Sequence, residues 1–141
     1  MTSDSVLDRY PGADTFKFGD SPELCQRLIA LVRFGKKRAT CGALDHFIED
    51  KTPVPMPGQF SVALGWDGMP ELVIQTISVV QCKFRDVDAD FALAEGENDT
   101  LAGWQRDHSE YFARNGGFDP EMVLICERFE LVEDLRRDFC G

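Results

Sequence analysis

Apolar residues recur every four positions between residues 21 and 34. Leu24, Leu28 and Val32 form one apolar stripe, and polar residues lie on the opposite face. An Asp-Ser-Pro sequence precedes the stripe and suits the start of a helix. Gly35 suits its end, because glycine adopts a left-handed conformation without strain. The pattern therefore predicts a helix whose apolar face packs on a core.

The period changes to two after residue 58. Apolar residues alternate with small or polar ones from 59 to 66, which is typical of a half-buried strand, and Asp67-Gly68 then signals a hairpin turn. The β-branched run over 71–84 is too long for one flat strand. It predicts two strands or one sharply bent strand. A last strand is predicted over 122–132.

Helical spacing returns between these strands. A short helix is predicted over 86–95, and a stronger one from Leu101 to Phe112 ends at an Asn-Gly-Gly sequence. Residues 1–19 are predicted to be an irregular lead-in with one short strand at most, and 41–58 a proline-rich loop. The order indicates an α+β fold with a strongly bent sheet or a small barrel.

Size and composition narrow the class of protein. The 141 residues, 43% of them hydrophobic, suit one domain over 1–141 with a real core. No apolar run is long enough to span a bilayer, so no membrane partner is expected. The first twenty residues lack the basic start and apolar centre of a signal peptide, which predicts a cytoplasmic protein. The sequence leaves the oligomeric state open.

Charge and cysteine content narrow the ligand. The formal net charge of -10 argues against non-specific nucleic-acid binding, but it allows a small basic pocket for one nucleotide or a short single strand. The five cysteines are scattered and odd in number. Because their spacing matches no metal-binding motif, the cysteines are predicted to be reduced thiols with no bound metal. No cofactor is expected either.

One basic run stands out on this acidic chain. Lys36, Lys37 and Arg38 directly follow the helix stop at Gly35, and Thr40 comes three residues after Lys37. Cations and free backbone N–H groups at a helix-to-loop junction suit an anionic ligand. Lysine can hold an anionic or carbonyl oxygen, and a threonine hydroxyl can be a nucleophile if a base lies beside it. The alternative is a solvated turn with three surface charges.

Two glutamates and one helix face complete the candidate residues. Glu95 and Glu97 flank a glycine at the break between the last two predicted helices, where either could pair with Lys37 or act as an acid or base. Trp104 and His108 share a helix face, as a stacking platform or as part of the core. Arg128 could serve as an ion-pair partner or an oxyanion clamp.

Five short motifs follow one another along the chain: Gly35-Lys36-Lys37-Arg38-Ala39-Thr40, Pro57-Gly58, Ala94-Glu95-Gly96-Glu97, Leu101-x-x-Trp104-x-x-x-His108-x-x-x-Phe112 and Cys126-Glu127-Arg128-Phe129. In this order and spacing they resemble the ASCH domain family, in its larger bacterial branch. The resemblance covers roughly residues 16–132. It implies a small PUA-like β-barrel flanked by helices, with a cleft that takes RNA, a nucleoside or a nucleotide.

The resemblance also implies roles for individual residues. A short ASCH protein removes the acetyl group from acetylcytidine, and its catalytic lysine, threonine and glutamate correspond to Lys37, Thr40 and Glu97. A longer ASCH protein degrades single-stranded RNA. The resemblance therefore implies a hydrolase acting on RNA or an acylated cytidine. A non-catalytic binding module and a structural protein that keeps only the fold remain alternatives.

These observations predict one shared site. Lys37, Thr40 and Glu97 should converge on one cleft, with Trp104 or His108 at its rim. The other expected ligand-binding residues are Gly35, Lys36, Arg38, Glu95 and Arg128. Near carboxylates Lys37 should stay charged, which suits electrostatic anchoring better than base catalysis.

Overall fold

A computed structural model of the chain describes residues 3–135. These residues form one five-stranded mixed sheet and five α-helices. The helices are α1 (Ser3–Arg9), α2 (Pro22–Arg33), α3 (Leu44–Glu49), α4 (Ala89–Ala94) and α5 (Leu101–Arg114). The strands are β1 (Asp14–Phe16), β2 (Ala39–Ala43), β3 (Phe60–Leu64), β4 (Pro70–Lys83) and β5 (Val123–Asp134), and a 3₁₀ turn spans Phe84–Asp86.

The sheet curls into a half-barrel. Its strand order is β1-β3-β4-β5-β2, with β1 parallel to β3 and every other pair antiparallel. The long β4–β5 ladder shifts register after Val73 and again after Thr76, and such irregularities bend a sheet. The predicted α+β, PUA-like fold is confirmed, with β1 and β2 as the two edges of the curled sheet. The single bent strand was the correct alternative for 71–84.

Helix α2 packs across the sheet as its apolar stripe predicted. The Ser21 side chain caps it by accepting the Leu24 N–H at 3.2 Å. Leu28 and Val32 are buried against sheet residues such as Ile74 and Phe129. Gly35 ends the helix region with a φ of 80°, a conformation that a side chain would strain.

Helices α4 and α5 cover the other end of the sheet. Asp88 caps α4 and Thr100 caps α5, each by accepting a backbone N–H within the first turn. Trp104 and Phe112 of α5 pack with Phe84 in a second core cluster, where both side chains are fully or almost fully buried. The link between the two helices contacts the chain that follows α2, at Lys36 and Lys37.

Two predictions for irregular segments were wrong. Residues 3–9 form α1, whose Val6 is buried with Val62 and Val73. Within the predicted loop 41–58, residues 44–49 form α3, and residues 39–43 form β2, an edge strand that overlaps the start of that loop. Its sequence of small residues lacks an apolar alternation, and its partner β5 lies more than 80 residues away. The backbone pairing that makes it a strand is therefore invisible locally.

Two further expectations concern absences. Four cysteines fall within residues 3–135, and none of these four forms a disulfide; Cys140 lies outside the described residues. Across this same part of the chain no helix has the length and apolar character needed to cross a bilayer.

Candidate active site

The turn after α2 directs Lys37 into the protein. Its backbone N–H and that of Lys36 both donate to the Leu31 carbonyl, at 3.1 and 2.9 Å. Arg38 then donates its backbone N–H to the Ala94 carbonyl at 2.7 Å, which ties the turn to the end of α4. The result is an unusual placement, because the Lys37 side chain is 1% exposed.

Two carboxylates accept hydrogen bonds from the buried Lys37 ammonium. Nζ lies 3.0 Å from Glu95 Oε1 and 2.9 Å from Glu97 Oε2, and it also donates to the Glu95 carbonyl at 3.4 Å. Burial by itself would lower the pKa of Lys37, but the charges of Glu95 and Glu97 more than offset it and raise the pKa above its ordinary value. The lysine is therefore a cation, as predicted.

Glu95 is the centre of the network. Its second oxygen accepts the Trp104 indole N–H at 2.9 Å and lies 3.5 Å from His108 Nε2. Burial would raise the pKa of this carboxyl, but Lys37, His108 and Trp104 together lower it to about 2. Glu95 is therefore ionised at any physiological pH.

The surroundings of His108 define its protonation. Its Nδ1 lies 2.9 Å from the Trp104 carbonyl oxygen, which can only accept, and its Nε2 faces the Glu95 carboxylate, which also only accepts. Both ring nitrogens therefore face acceptors, an arrangement that favours the doubly protonated ring. Burial is the largest effect and opposes the charge, but the hydrogen bond and charge of Glu95, the charge of Glu97 and the Trp104 carbonyl together outweigh it and raise the pKa of His108. The ring is best described as an imidazolium.

A single glycine allows the two glutamates to meet Lys37. Gly96 has a φ of 77°, and a Cβ at this position would lie 2.4 Å from the Lys36 carbonyl oxygen. The chain between α4 and α5 therefore contacts the Lys36–Lys37 backbone directly. This close approach presents Glu95 and Glu97 to one ammonium from either side.

A cavity of about 240 Å³ opens above the network. Lys37, Thr40, Glu97 and His108 all line it, so the predicted residues meet at one cavity. Across residues 3–135 the Thr40 hydroxyl makes no hydrogen bond to protein. Lys37 also lies 5.8 Å from the centre of the Phe18 ring, which lines the same cavity.

Trp104 has no free ring face in this structure. Phe84 stacks on one side at 5.1 Å and His108 on the other at 4.4 Å, and the residue is 0% exposed. A stacking role for Trp104 is therefore not available here. Its indole instead positions Glu95, and His108 is the member of the pair that reaches the cavity.

The remaining predicted ligand-binding residues lie outside this cavity. The Lys36 and Arg38 side chains are exposed, and Arg128 pairs with Asp90 at 2.8 Å. Gly35, Arg38 and Arg128 line a separate, open depression in which Lys37 forms one wall. Lys37 is thus the residue that connects the basic turn to the site.

Sequence reasoning underrated two residues of the cavity. Cys41 and Tyr111 both line it. Tyr111 follows His108 by three positions on α5, so their shared helix face was a usable signal. Burial is the main reason that the pKa of Cys41 lies well above its ordinary value, and the negative charge of Glu95 raises it further. That thiol is therefore neutral and unsuited to nucleophilic attack.

Three possible metal ligands cluster here. One donor atom each from Cys41, Glu95 and His108 lie within 4.8 Å of one another. However, one Glu95 oxygen bonds Lys37 and the other bonds Trp104 and faces His108. A metal would have to displace these donors and the Lys37 cation, so the geometry favours the internal ion network.

Comparison with known proteins assigns the family. The sequence model of the ASCH domain family matches residues 14–133. The chain belongs to the ASCH family. Proteins of the ASCH family are generally associated with RNA binding. No curated protein sequence matches the chain.

Two solved structures are similar over nearly the whole ASCH chain. The ASCH domain from Lactobacillus crispatus JV V101 is 30% identical with a TM-score of 0.79, over 92% of this chain and 86% of that one. Protein EF3133 from Enterococcus faecalis V583 is 32% identical with a TM-score of 0.85, over 98% of this chain and 90% of that one. The ASCH fold is therefore shared with both.

Proposed function

We propose that the protein is an amide hydrolase acting on an acylated pyrimidine nucleoside of the acetylcytidine type. The observation that carries this proposal is the buried Lys37 ammonium, held between two carboxylates beside the unengaged Thr40 hydroxyl. The resemblance to an ASCH amidohydrolase supports the same three residues, Lys37, Thr40 and Glu97.

The charge of the cavity favours a neutral substrate over a phosphodiester. Its lining includes four carboxylates (Glu95, Glu97, Asp107 and Glu110), balanced by the three permanent cations Arg27, Lys37 and Arg114 and by the His108 imidazolium, which faces Glu95. Arg114 already pairs with Asp20 at 2.7 Å, and two carboxylates neutralise Lys37. No excess positive charge in the lining is left for a phosphate, so an amide carbonyl is the better-matched group.

The proposed reaction has two stages. Glu97 accepts the proton of the Thr40 hydroxyl while its oxygen attacks the amide carbon, and Lys37 stabilises the negative charge that develops on the carbonyl oxygen. The C–N bond then breaks, and the leaving amine takes the proton from Glu97. Water hydrolyses the acyl-threonine ester, which releases the carboxylic acid and restores the hydroxyl.

Turnover of N4-acetylcytidine tests the proposal. Cytidine released by the wild-type protein would be quantified by liquid chromatography, with single-stranded RNA as the competing substrate. Thr40→Val, which keeps the shape of the side chain and removes the hydroxyl, should lose activity by at least about 100-fold, whereas Thr40→Ser should retain it. Equal activity of the valine variant would contradict the nucleophile role.

A non-catalytic RNA-binding module is the second candidate. Lys36 and Arg38 are exposed and lie close in sequence to Phe34, which is itself 79% exposed. An exposed aromatic ring beside two cations suits a stacked base next to a phosphate. Binding of a short single-stranded RNA without turnover of either substrate, weakened by Phe34→Ala, would favour this alternative.

A further inference from the structure

A second cavity of about 300 Å³ adjoins the first. Both cavities are lined by Phe18, Thr40, Cys41 and Tyr111, so they meet at the Thr40 side chain. This volume is at the lower end of the range of about 300–1,000 Å³ for small-molecule sites. A ligand whose reacting group lies at Thr40 would therefore have its remaining part within reach of the second cavity.

The walls of the second cavity suit a flat ring. They carry four aromatic side chains and two prolines from the 52–55 segment: Phe16, Phe18, Phe47, Tyr111, Pro53 and Pro55. Its floor is the concave face of the half-barrel, including Ile74 and Ile125. The aromatic and apolar residues suit the faces of a flat heterocycle, and polar residues of the same lining can bind its edge groups: Asp14, Thr15, Lys17, Thr52, Ser61 and Glu127.

Two carboxyl groups line this cavity, those of Asp14 on β1 and Glu127 on β5. Glu127 is the one considered for the ligand. It lies directly opposite Thr40 across the β2–β5 ladder, so both side chains leave the same face of the sheet at neighbouring positions. Its Oε2 accepts the Thr76 hydroxyl at 2.7 Å. Within residues 3–135 no side chain or backbone group donates to its other oxygen, and no cation forms a salt bridge with it.

The environment of Glu127 explains which group it can bind. Burial raises the pKa of Glu127; the Thr76 hydrogen bond opposes that shift and Asp14 reinforces it. Lys17 also lines the cavity, but its ammonium donates to the Trp66 carbonyl at 3.1 Å. In either protonation state the carboxyl keeps an acceptor oxygen that lacks a protein donor, so an N–H donor would be bound there. The ionised carboxylate would also repel a phosphate.

We propose that the second cavity is a pyrimidine-base subsite in which Glu127 accepts the exocyclic N–H of a cytosine-type base. This inference rests on the proposed function, because it places the acylated amine between Glu127 and Thr40. An N4-acylated cytosine retains one N–H for Glu127, and its carbonyl carbon is attached to that same nitrogen. Glu127 thereby becomes a specificity-determining residue that discriminates an aminopyrimidine from a pyrimidine with a carbonyl at that position.

Calorimetric binding of cytidine and uridine tests the subsite without requiring turnover. Wild-type protein should bind cytidine about ten-fold more tightly than uridine, since one well-formed polar pair discriminates by that order. In E127Q the Thr76 hydroxyl should hold the amide oxygen, which leaves the amide NH2 facing the cavity. Cytidine affinity should then fall about ten-fold while uridine affinity rises.

Glu130→Gln is the matched control, because it removes the same charge from the same strand at an exposed position outside the second cavity. It should leave both affinities unchanged. Unchanged discrimination in E127Q, or the absence of nucleoside binding in the folded wild-type protein, overturns the subsite. Thermal melts of each variant establish that it is folded.

The experiments distinguish failure of the proposed subsite from failure of the proposed reaction. If E127Q reverses the preference between cytidine and uridine but acetylcytidine is not hydrolysed, the subsite stands and the reaction falls. If acetylcytidine is hydrolysed and E127Q leaves discrimination unchanged, the reaction stands and the subsite falls.

Discussion

Lys37 lies in an environment that a lysine side chain ordinarily avoids. It is buried to 1% exposure, and only the two adjacent carboxylates make the charge tolerable. Its neighbour Lys36 has the same side chain and is exposed. The pair therefore offers an internal comparison between a buried and a solvated ammonium one residue apart.

Replacing Lys37 by methionine should destabilise the protein by roughly 3–5 kcal/mol, because it leaves Glu95 and Glu97 without their cation. Lys36→Met should change the free energy of unfolding by less than about 0.5 kcal/mol. Urea denaturation of both variants measures the difference. A loss below about 1 kcal/mol for Lys37→Met would show that the buried ion pairs are not formed.

His108 should titrate above the ordinary histidine pKa of about 6.5. Its folded-state pKa is raised, so its stabilising contribution is complete below about pH 6.5 and is lost as pH rises through the folded value. Glu95 remains ionised throughout that range. NMR titration of the histidine ring protons measures the pKa of His108. The chain has two histidines, and the signal that disappears in His108→Gln is that of His108. A midpoint below 6.5 would contradict the imidazolium assignment.

At the scale of elements, the link between α4 and α5 matters more than either helix alone. It combines a left-handed glycine with a contact on the Lys36–Lys37 backbone, so it fixes how far α4 lies from the end of α2. A side chain on Gly96 would have to push these two segments apart. The positions of Glu95 and Glu97 therefore depend on this one glycine.

Gly96→Ala should destabilise the protein by roughly 2–5 kcal/mol, from backbone strain together with the clash against Lys36. Gly58→Ala is the control, since Gly58 has a φ of 88° but nothing lies within 4 Å of its added Cβ. It should cost about 1 kcal/mol. Thermal unfolding with acetylcytidine turnover measures both effects, and equal losses in the two variants would argue against the close approach.

At the scale of the whole molecule, the formal charge of -10 opposes binding through many phosphates. Affinity for cytidine should therefore change by less than about two-fold between 50 and 200 mM salt. An RNA held by 6–10 phosphate contacts would lose about 10³–10⁵ in affinity over that range. Titrations at several salt concentrations separate the two, and a steep dependence for an RNA ligand would favour the RNA-binding alternative.

Part of the fold followed from local pattern. Helix α2, the bent strand β4 and helix α5 each carry an apolar period strong enough to identify them, and their caps are local as well. Helix α1 and strand β2 were missed. Both are defined by contacts with distant strands, and β2 consists of small residues whose own pattern favours no structure.

The amino-acid sequence by itself determined which residues could form a site: a basic turn after a helix, a Glu-Gly-Glu break and a histidine on a helix face. It also determined that a lysine among carboxylates would remain charged, since opposite charges stabilise each other's ionised forms. Only the tertiary structure decided that Lys37 alone of the three cations turns inward, and that Trp104 is enclosed. It also placed Glu127 opposite Thr40. The placement of Lys37 and Glu127 depends on strand register and on packing between segments 58 or more residues apart. The enclosure of Trp104 depends on Phe84, which lies outside its own helix. Local sequence encodes neither.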